Sequence, residues 1–227
     1  MPISLDSWRA CGVRVALLTW CMAALQAMAQ APDTPQVPDK GGTTSFVLQA
    51  ESIGVGPYAQ EAQGKPLPMT LYVSDGSTRA DFTGPDGERA MALHDGVRDE
   101  GWMISLDRGI AMPFQGTAAA DLQVDPGQPC AHLPRPCQRT GSRFIAGRPV
   151  AGWRYHGANA KGPGGTSKGE FWIDPDTGVV LAYRGTKQGW EDVYEMTVKS
   201  IRYGKLPPEL FELPETVDAY KPDNGNP

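Results

Sequence analysis

Apolar and polar residues alternate with a period of two along most of this chain. Met69, Leu71 and Val73 interleave with Thr70 and Tyr72, and Ala80 and Phe82 interleave with Arg79 and Asp81. Met91 and Leu93 share a face, as do Trp102, Ile104 and Leu106, and then Ala151, Trp153 and Tyr155. Tyr194, Met196 and Val198 oppose Glu195, Thr197 and Lys199 in the cleanest case. Such alternation predicts strands with one face buried. Turn tokens separate them: Asp75-Gly76, Pro85-Asp86-Gly87, Asp107-Arg108-Gly109 and Gly147-Arg148-Pro149. Short strands broken by such turns predict an antiparallel meander rather than βαβ units. The fold class expected is mainly β, a curved antiparallel sheet or incomplete barrel of about 10 strands with a small helical or loop plug.

The strongest single signal is the hairpin over Gly169–Arg184. Phe171, Trp172 and Ile173 favour a pleated strand. Asp174-Pro175-Asp176-Thr177-Gly178 follows, in which Pro175 presets φ, the aspartates bond nearby amides and Gly178 tolerates positive φ. Val179 to Tyr183 returns as the second strand. Near the end, Pro207-Pro208-Glu209-Leu210-Phe211 permits one helical turn, with Leu210, Phe211 and Leu213 available to close the core.

Other stretches lack the period. Pro57 to Pro68 reads as a polar loop. The segment 115–141 carries Pro126, Pro129, Pro134 and Pro136 and a weakly helical patch at Thr117 to Leu122, and is expected to be a surface excursion. Ala158 to Ser167 reads as a flexible connector.

The first 29 residues have the form of a signal peptide: Arg9 and Arg14, an apolar run from Val15 to Leu25, and Ala27-Met28-Ala29 before Gln30. Residues 30–43 read as a disordered leader, 44–214 as one β domain and 215–227 as a flexible tail. Processing places the protein in the periplasm or outside the cell. The whole chain carries a net charge of −5. Loss of Arg9, Arg14 and Asp6 makes the mature chain slightly more acidic, which disfavours nucleic acid and anionic headgroups as main partners. No later segment is apolar enough for a stable membrane span. Cys130 and Cys137 survive processing, and in an exported chain they are expected to form a disulfide.

Candidate chemistry is sparse. Gly165-Thr166-Ser167-Lys168-Gly169 spells the nucleophile-elbow pattern, but a glycine-rich loop precedes it, a strand follows, and His94, His132 and His156 all lie upstream. Gly169 stands where a phosphate loop needs Ser or Thr after Lys168. Asp174-x-Asp176 lacks the remaining ligands of a calcium loop, and the three histidines have no zinc spacing. No catalytic residue, metal ligand or cofactor site is assigned. A hydrolase using carboxylates paired across strands stays open as an alternative, as does a structural envelope subunit offering a sheet edge.

The mature tryptophans Trp102, Trp153, Trp172 and Trp190 all fall in strand-like segments. Trp172 points away from Phe171 and Ile173, so that strand is apolar on both faces. One account is a core on one face and a covering segment on the other. A second is a ligand-facing cavity, for which Trp102, Trp153, Trp172 and Tyr183 are the candidate lining residues.

Phe171-Trp172-Ile173-Asp174-Pro175-Asp176-Thr177-Gly178, Gly147 with Trp153, and Leu206 to Pro214 together resemble exported domains of the LolA/LolB-like lipoprotein-carrier superfamily, especially uncharacterised periplasmic members. The resemblance implies an incomplete antiparallel barrel around a helix or loop plug, often with an apolar cavity for acyl chains. The function expected is therefore non-enzymatic binding of an apolar ligand (a lipid or lipoprotein acyl chain) or of an envelope protein.

Overall fold

A computed structural model describes residues 45–115, 122–189 and 192–219. The expected signal peptide and leader, Trp190, most of the patch at 117–122 and the last residues of the expected tail lie outside these. Among the described residues, twelve strands form one sheet: β1 (Phe46–Ile53), β2 (Leu67–Ser74), β3 (Ser77–Thr83), β4 (Arg89–Asp95), β5 (Glu100–Ser105), β6 (Ile110–Pro113), β7 (Gln138–Ile145), β8 (Arg148–Tyr155), β9 (Lys168–Ile173), β10 (Val180–Thr186), β11 (Val193–Tyr203) and β12 (Asp218–Ala219). Their spatial order is β12-β6-β5-β4-β3-β2-β1-β11-β10-β9-β8-β7. Eleven strands pair antiparallel, and the two-residue β12 adds to β6 in parallel. The sheet does not close: β7 and β12 are its edges. No described helix is long and apolar enough to cross a membrane.

The open antiparallel sheet agrees with the fold class read from the alternation, with two strands more than the ten expected. The strand anticipated only in part is β7, expected from Arg143 onward. The excursion was expected to run to Gly141, yet pairing begins at Gln138. Its sequence, Gln-Arg-Thr-Gly-Ser-Arg-Phe-Ile, has no apolar alternation because seven of its eight side chains are exposed. An edge strand that buries neither face leaves no periodic signal. Beyond Pro214 the chain also continues into structure, with Val217 buried and Asp218–Ala219 paired to β6.

Both faces of the sheet carry apolar cores. The larger holds Phe46, Leu48, Leu71, Phe171, Ile173, Val180 and Met196. A smaller one lies on the other face of β4–β6, with Met91, Leu93, Ile104 and Ala111 covered by Phe211 and Val217. The expected plug is a 3-10 turn, Pro208–Phe211, and Phe211 is its buried residue.

Two segments close the larger core at the far end. The excursion is stapled by Cys130–Cys137 and returns over the Gly169–Arg184 hairpin, where Gln123 bridges to Val179. The segment 158–167 is not a flexible connector: Gly162, Pro163, Thr166 and Ser167 are buried. Its amides bond inward, Ser167 N to Thr186 O at 2.8 Å and Ala158 N to Ser167 O at 2.8 Å. The Tyr155 hydroxyl hydrogen-bonds Thr166 Oγ1 beneath this segment.

That burial has a pH signature. Desolvation pushes the Tyr155 phenol up to about 12 from 10, with the Thr166 hydroxyl pulling the other way. The folded chain thus holds this proton more tightly than the unfolded one. The stability so gained is complete below pH 10 and is lost as pH rises toward about 12, an amount of about 2–3 kcal/mol. Urea midpoints should fall over this range, and Tyr155→Phe should flatten the fall. Tyr203, also raised by burial, accounts for slope that remains. Parallel curves for wild type and variant would refute the assignment.

Candidate functional site

Partners across antiparallel strands share a face, so the register places each candidate side chain. Trp153, Phe171 and Tyr183 form one row on the face of the larger core. Phe171 and Tyr183 are almost wholly buried there, and the Tyr183 hydroxyl reaches under Gly164. Trp172 lies on the opposite face, as expected from its alternation with Phe171. Trp102 is paired with Leu93 and Pro113 and packs with the smaller core under the C-terminal turn. The four aromatic candidates are therefore distributed over three surroundings and do not line one cavity.

Two open regions stand out. The first continues the larger core toward the β6 edge. Ala80, Ala92, Met103 and Met112 make one register row, and Phe82, Ala90, Ser105 and Ile110 make the next. Near the sheet centre these positions are covered, but at the edge Met112 is 55% exposed and Ile110 45% exposed. A groove of about 370 Å³ runs here between Tyr58 on the β1–β2 loop and Ala90, Met103, Ile110 and Met112, within the range of small-ligand sites. Glu61, Asp86 and Glu88 stand at its rim with Arg108. The Tyr58 phenol is raised by burial, and by Glu88 next.

These groove residues were not among the sequence candidates. The signal was present: Met103 alternates with Trp102 and Ile104, and Met112 with Ala111 and Pro113, so both strands are apolar on two faces. The same reasoning that singled out Trp172 would have found them.

The second region is the Trp172 face. One row runs Thr197, Ala182, Trp172, Gly152, Gly141. Small neighbours leave room for the indole, and Gly152 is required: a Cβ there would lie 2.7 Å from Trp172 Nε1. The next row alternates in charge, Glu195, Arg184, Glu170, Arg154. Arg184 Nη1 lies 3.4 Å from Glu195 Oε2, and Arg154 Nε donates to Glu170 at 2.6 Å. Arg143 from β7 stacks on the indole, 3.7 Å from its centroid. Clefts of about 450 Å³ and 440 Å³ lie on either side of Trp172.

For the hydrolase alternative, Glu170 and Glu195 are one cross-strand carboxylate pair, two strands or about 10 Å apart. Arg184 stands between them in the row, where a substrate's scissile atom would have to lie. Among the described residues, no three His, Cys, Asp or Glu side chains gather as a metal cluster.

No family model and no curated protein matches the chain. Solved structures do. The chain is similar to an uncharacterized conserved protein from Thermus thermophilus, with 11% identity, 78% of this chain and 90% of that one covered, and a TM-score of 0.51. Others include MucB of the Pseudomonas aeruginosa MucA/MucB complex (16% identity, 77% and 57% covered, TM-score 0.43). A LolA superfamily protein from Nitrosomonas europaea is also found (9% identity, 75% and 91% covered, TM-score 0.36). The likeness is one of fold.

Proposed function

We propose that this chain is an exported, non-enzymatic binding domain that holds an apolar ligand, of acyl-chain type, in the groove between Tyr58 and β4–β6. The observation carrying this reading is the apolar core face running on, in register, to the solvent-exposed Met112 and Ile110. Methionines adapt to ligands of varied shape. The acidic rim favours an uncharged or esterified chain over a free fatty acid, whose carboxylate would meet Glu61, Asp86 and Glu88. Export is supported by the signal-peptide pattern and by the Cys130–Cys137 disulfide.

Delipidated protein should take up a neutral apolar fluorophore, displaced better by a long-chain alcohol than by the matching fatty acid. Met112→Glu and Met103→Glu place a charge against the ligand and should weaken uptake by about tenfold or more, a step of about 1.4 kcal/mol. Met112 is exposed, so the unfolding midpoint of its variant should barely move. No uptake by the wild type, or unchanged uptake by both variants, would sink the reading.

An envelope-protein partner is the second reading, and the surface for it is the free edge of β7. That edge is guarded: Arg139 and Arg143 lie along it, and the register shifts between Arg139 and Gly141. Charges and bulges on an edge oppose strand addition. The groove is the better supported site.

A further inference from the structure

We propose that the cleft over Trp172 binds a phosphate-type oxyanion, gripped by the Arg143 guanidinium and flanked by Arg184, whether carried by a free solute or by an anionic lipid headgroup. This site lies on the opposite face of the sheet from the apolar groove, and in its other half, so it does not depend on that groove. Four features carry it. Arg143 is held over the indole face at 3.7 Å, a cation–π contact that fixes the side chain while leaving its N–H edge free for two parallel bonds to an oxyanion. The nearby carboxylates are taken: Glu170 is bound by Arg154 and Glu195 by Arg184. Among the described residues neither Arg143 nor Lys168 has a carboxylate within ion-pair distance. Finally, the two adjoining clefts gather Arg143, Arg154, Lys168 and Arg184 against only Glu170 and Glu195, in a chain whose net charge is −5. A cationic concavity in an acidic protein focuses anions locally.

The test titrates sodium phosphate into the full chain at low ionic strength, followed by calorimetry and tryptophan emission. In parallel, the chain is sedimented with phosphatidylcholine vesicles with and without phosphatidylglycerol. Phosphate binding identifies a solute site, and binding only to phosphatidylglycerol vesicles identifies a headgroup site; either supports the proposal. In both cases Arg143→Gln should weaken binding by about tenfold or more, and Arg143→Lys should weaken it as well, because the two-pronged contact is lost. Arg139→Gln, on the same strand but in the Trp153 row, should leave it unchanged, and so should Met112→Glu. Arg143 is exposed, so its variants should melt close to the wild type. Three results would overturn the proposal: neither probe binding, equal binding by Arg143→Gln, or binding of a glutamate-rich peptide with no response to either phosphate probe.

Discussion

Replacing Gly178 by alanine should cost about 3–5 kcal/mol of stability, although it adds a single methyl group to a turn. An ideal Cβ at this position would lie 1.8 Å from the Val124 carbonyl oxygen and 3.0 Å from its carbon. The neighbour is backbone, so no side chain can swing aside. Relief requires the excursion to lift off the hairpin. That would break Val124 N to Gly178 O at 3.0 Å and Val180 N to Leu122 O at 2.9 Å, and would uncover Leu122, which is 5% exposed. Gly178 also has φ +72°, which alanine adopts only at a cost of about 1 kcal/mol. Gly147 separates the two terms: its φ is +75° and nothing lies within 4 Å of its Cβ position. Urea unfolding should show a small loss for Gly147→Ala and a large one for Gly178→Ala. Equal losses would mean that the excursion does not clamp the hairpin.

Asp174→Ala should lose a comparable amount, about 3–5 kcal/mol, for an electrostatic reason. The Asp174 carboxylate is 1% exposed. It accepts from Arg148 Nε at 2.5 Å, from the Tyr203 hydroxyl at 2.8 Å and from the Asp176 amide at 3.0 Å. These contacts tie the start of β8 and the end of β11 to the turn after β9. Arg148 also lies over the Tyr203 ring, 5.0 Å from its centroid. Removing the carboxylate leaves the half-buried Arg148 guanidinium without its acceptor and the half-buried Tyr203 hydroxyl with Thr177 Oγ1 alone. Asp176 provides the contrast: it is 62% exposed and 3.9 Å from Arg148, so Asp176→Ala should cost less than about 1 kcal/mol. Thermal melts of the two variants at neutral pH would decide it. Matching melts would show that the buried network contributes little.

Asp174 and Gly178 illustrate how far the sequence could be read. Asp-Pro-Asp-Thr-Gly announces a turn, because Pro175, the Asx bonds and Gly178 act within a few residues. The calcium and nucleophile-elbow patterns around it lack, in the sequence, the further ligands and the downstream histidine that they need. What the turn holds was not legible. Val124 is 54 residues before Gly178 in the chain, and Arg148 and Tyr203 are each more than 20 residues from Asp174; no short-range pattern encodes such partners.

The candidate site divides in the same way. Trp172 could be placed opposite Phe171 because alternation in a strand is a local rule. That Arg143 would stack on it required β7, whose polar sequence hides its strand character and whose position depends on pairing with β8. Trp102 and Trp153 carried equally strong strand signals yet went to other surroundings, since alternation assigns faces without saying what covers them.

The sequence by itself determined the strands that bury one face, the turns that join them, the 3-10 turn at Pro208 and the cysteine pair, because each follows from spacing and from the chemistry of adjacent residues. Tertiary structure alone decided the strand order, which face each segment covers and where the sheet stays open. Those outcomes depend on contacts between residues far apart in the chain. They leave Met103 and Met112 lining an open groove on one side of the sheet and set Arg143 over Trp172 on the other.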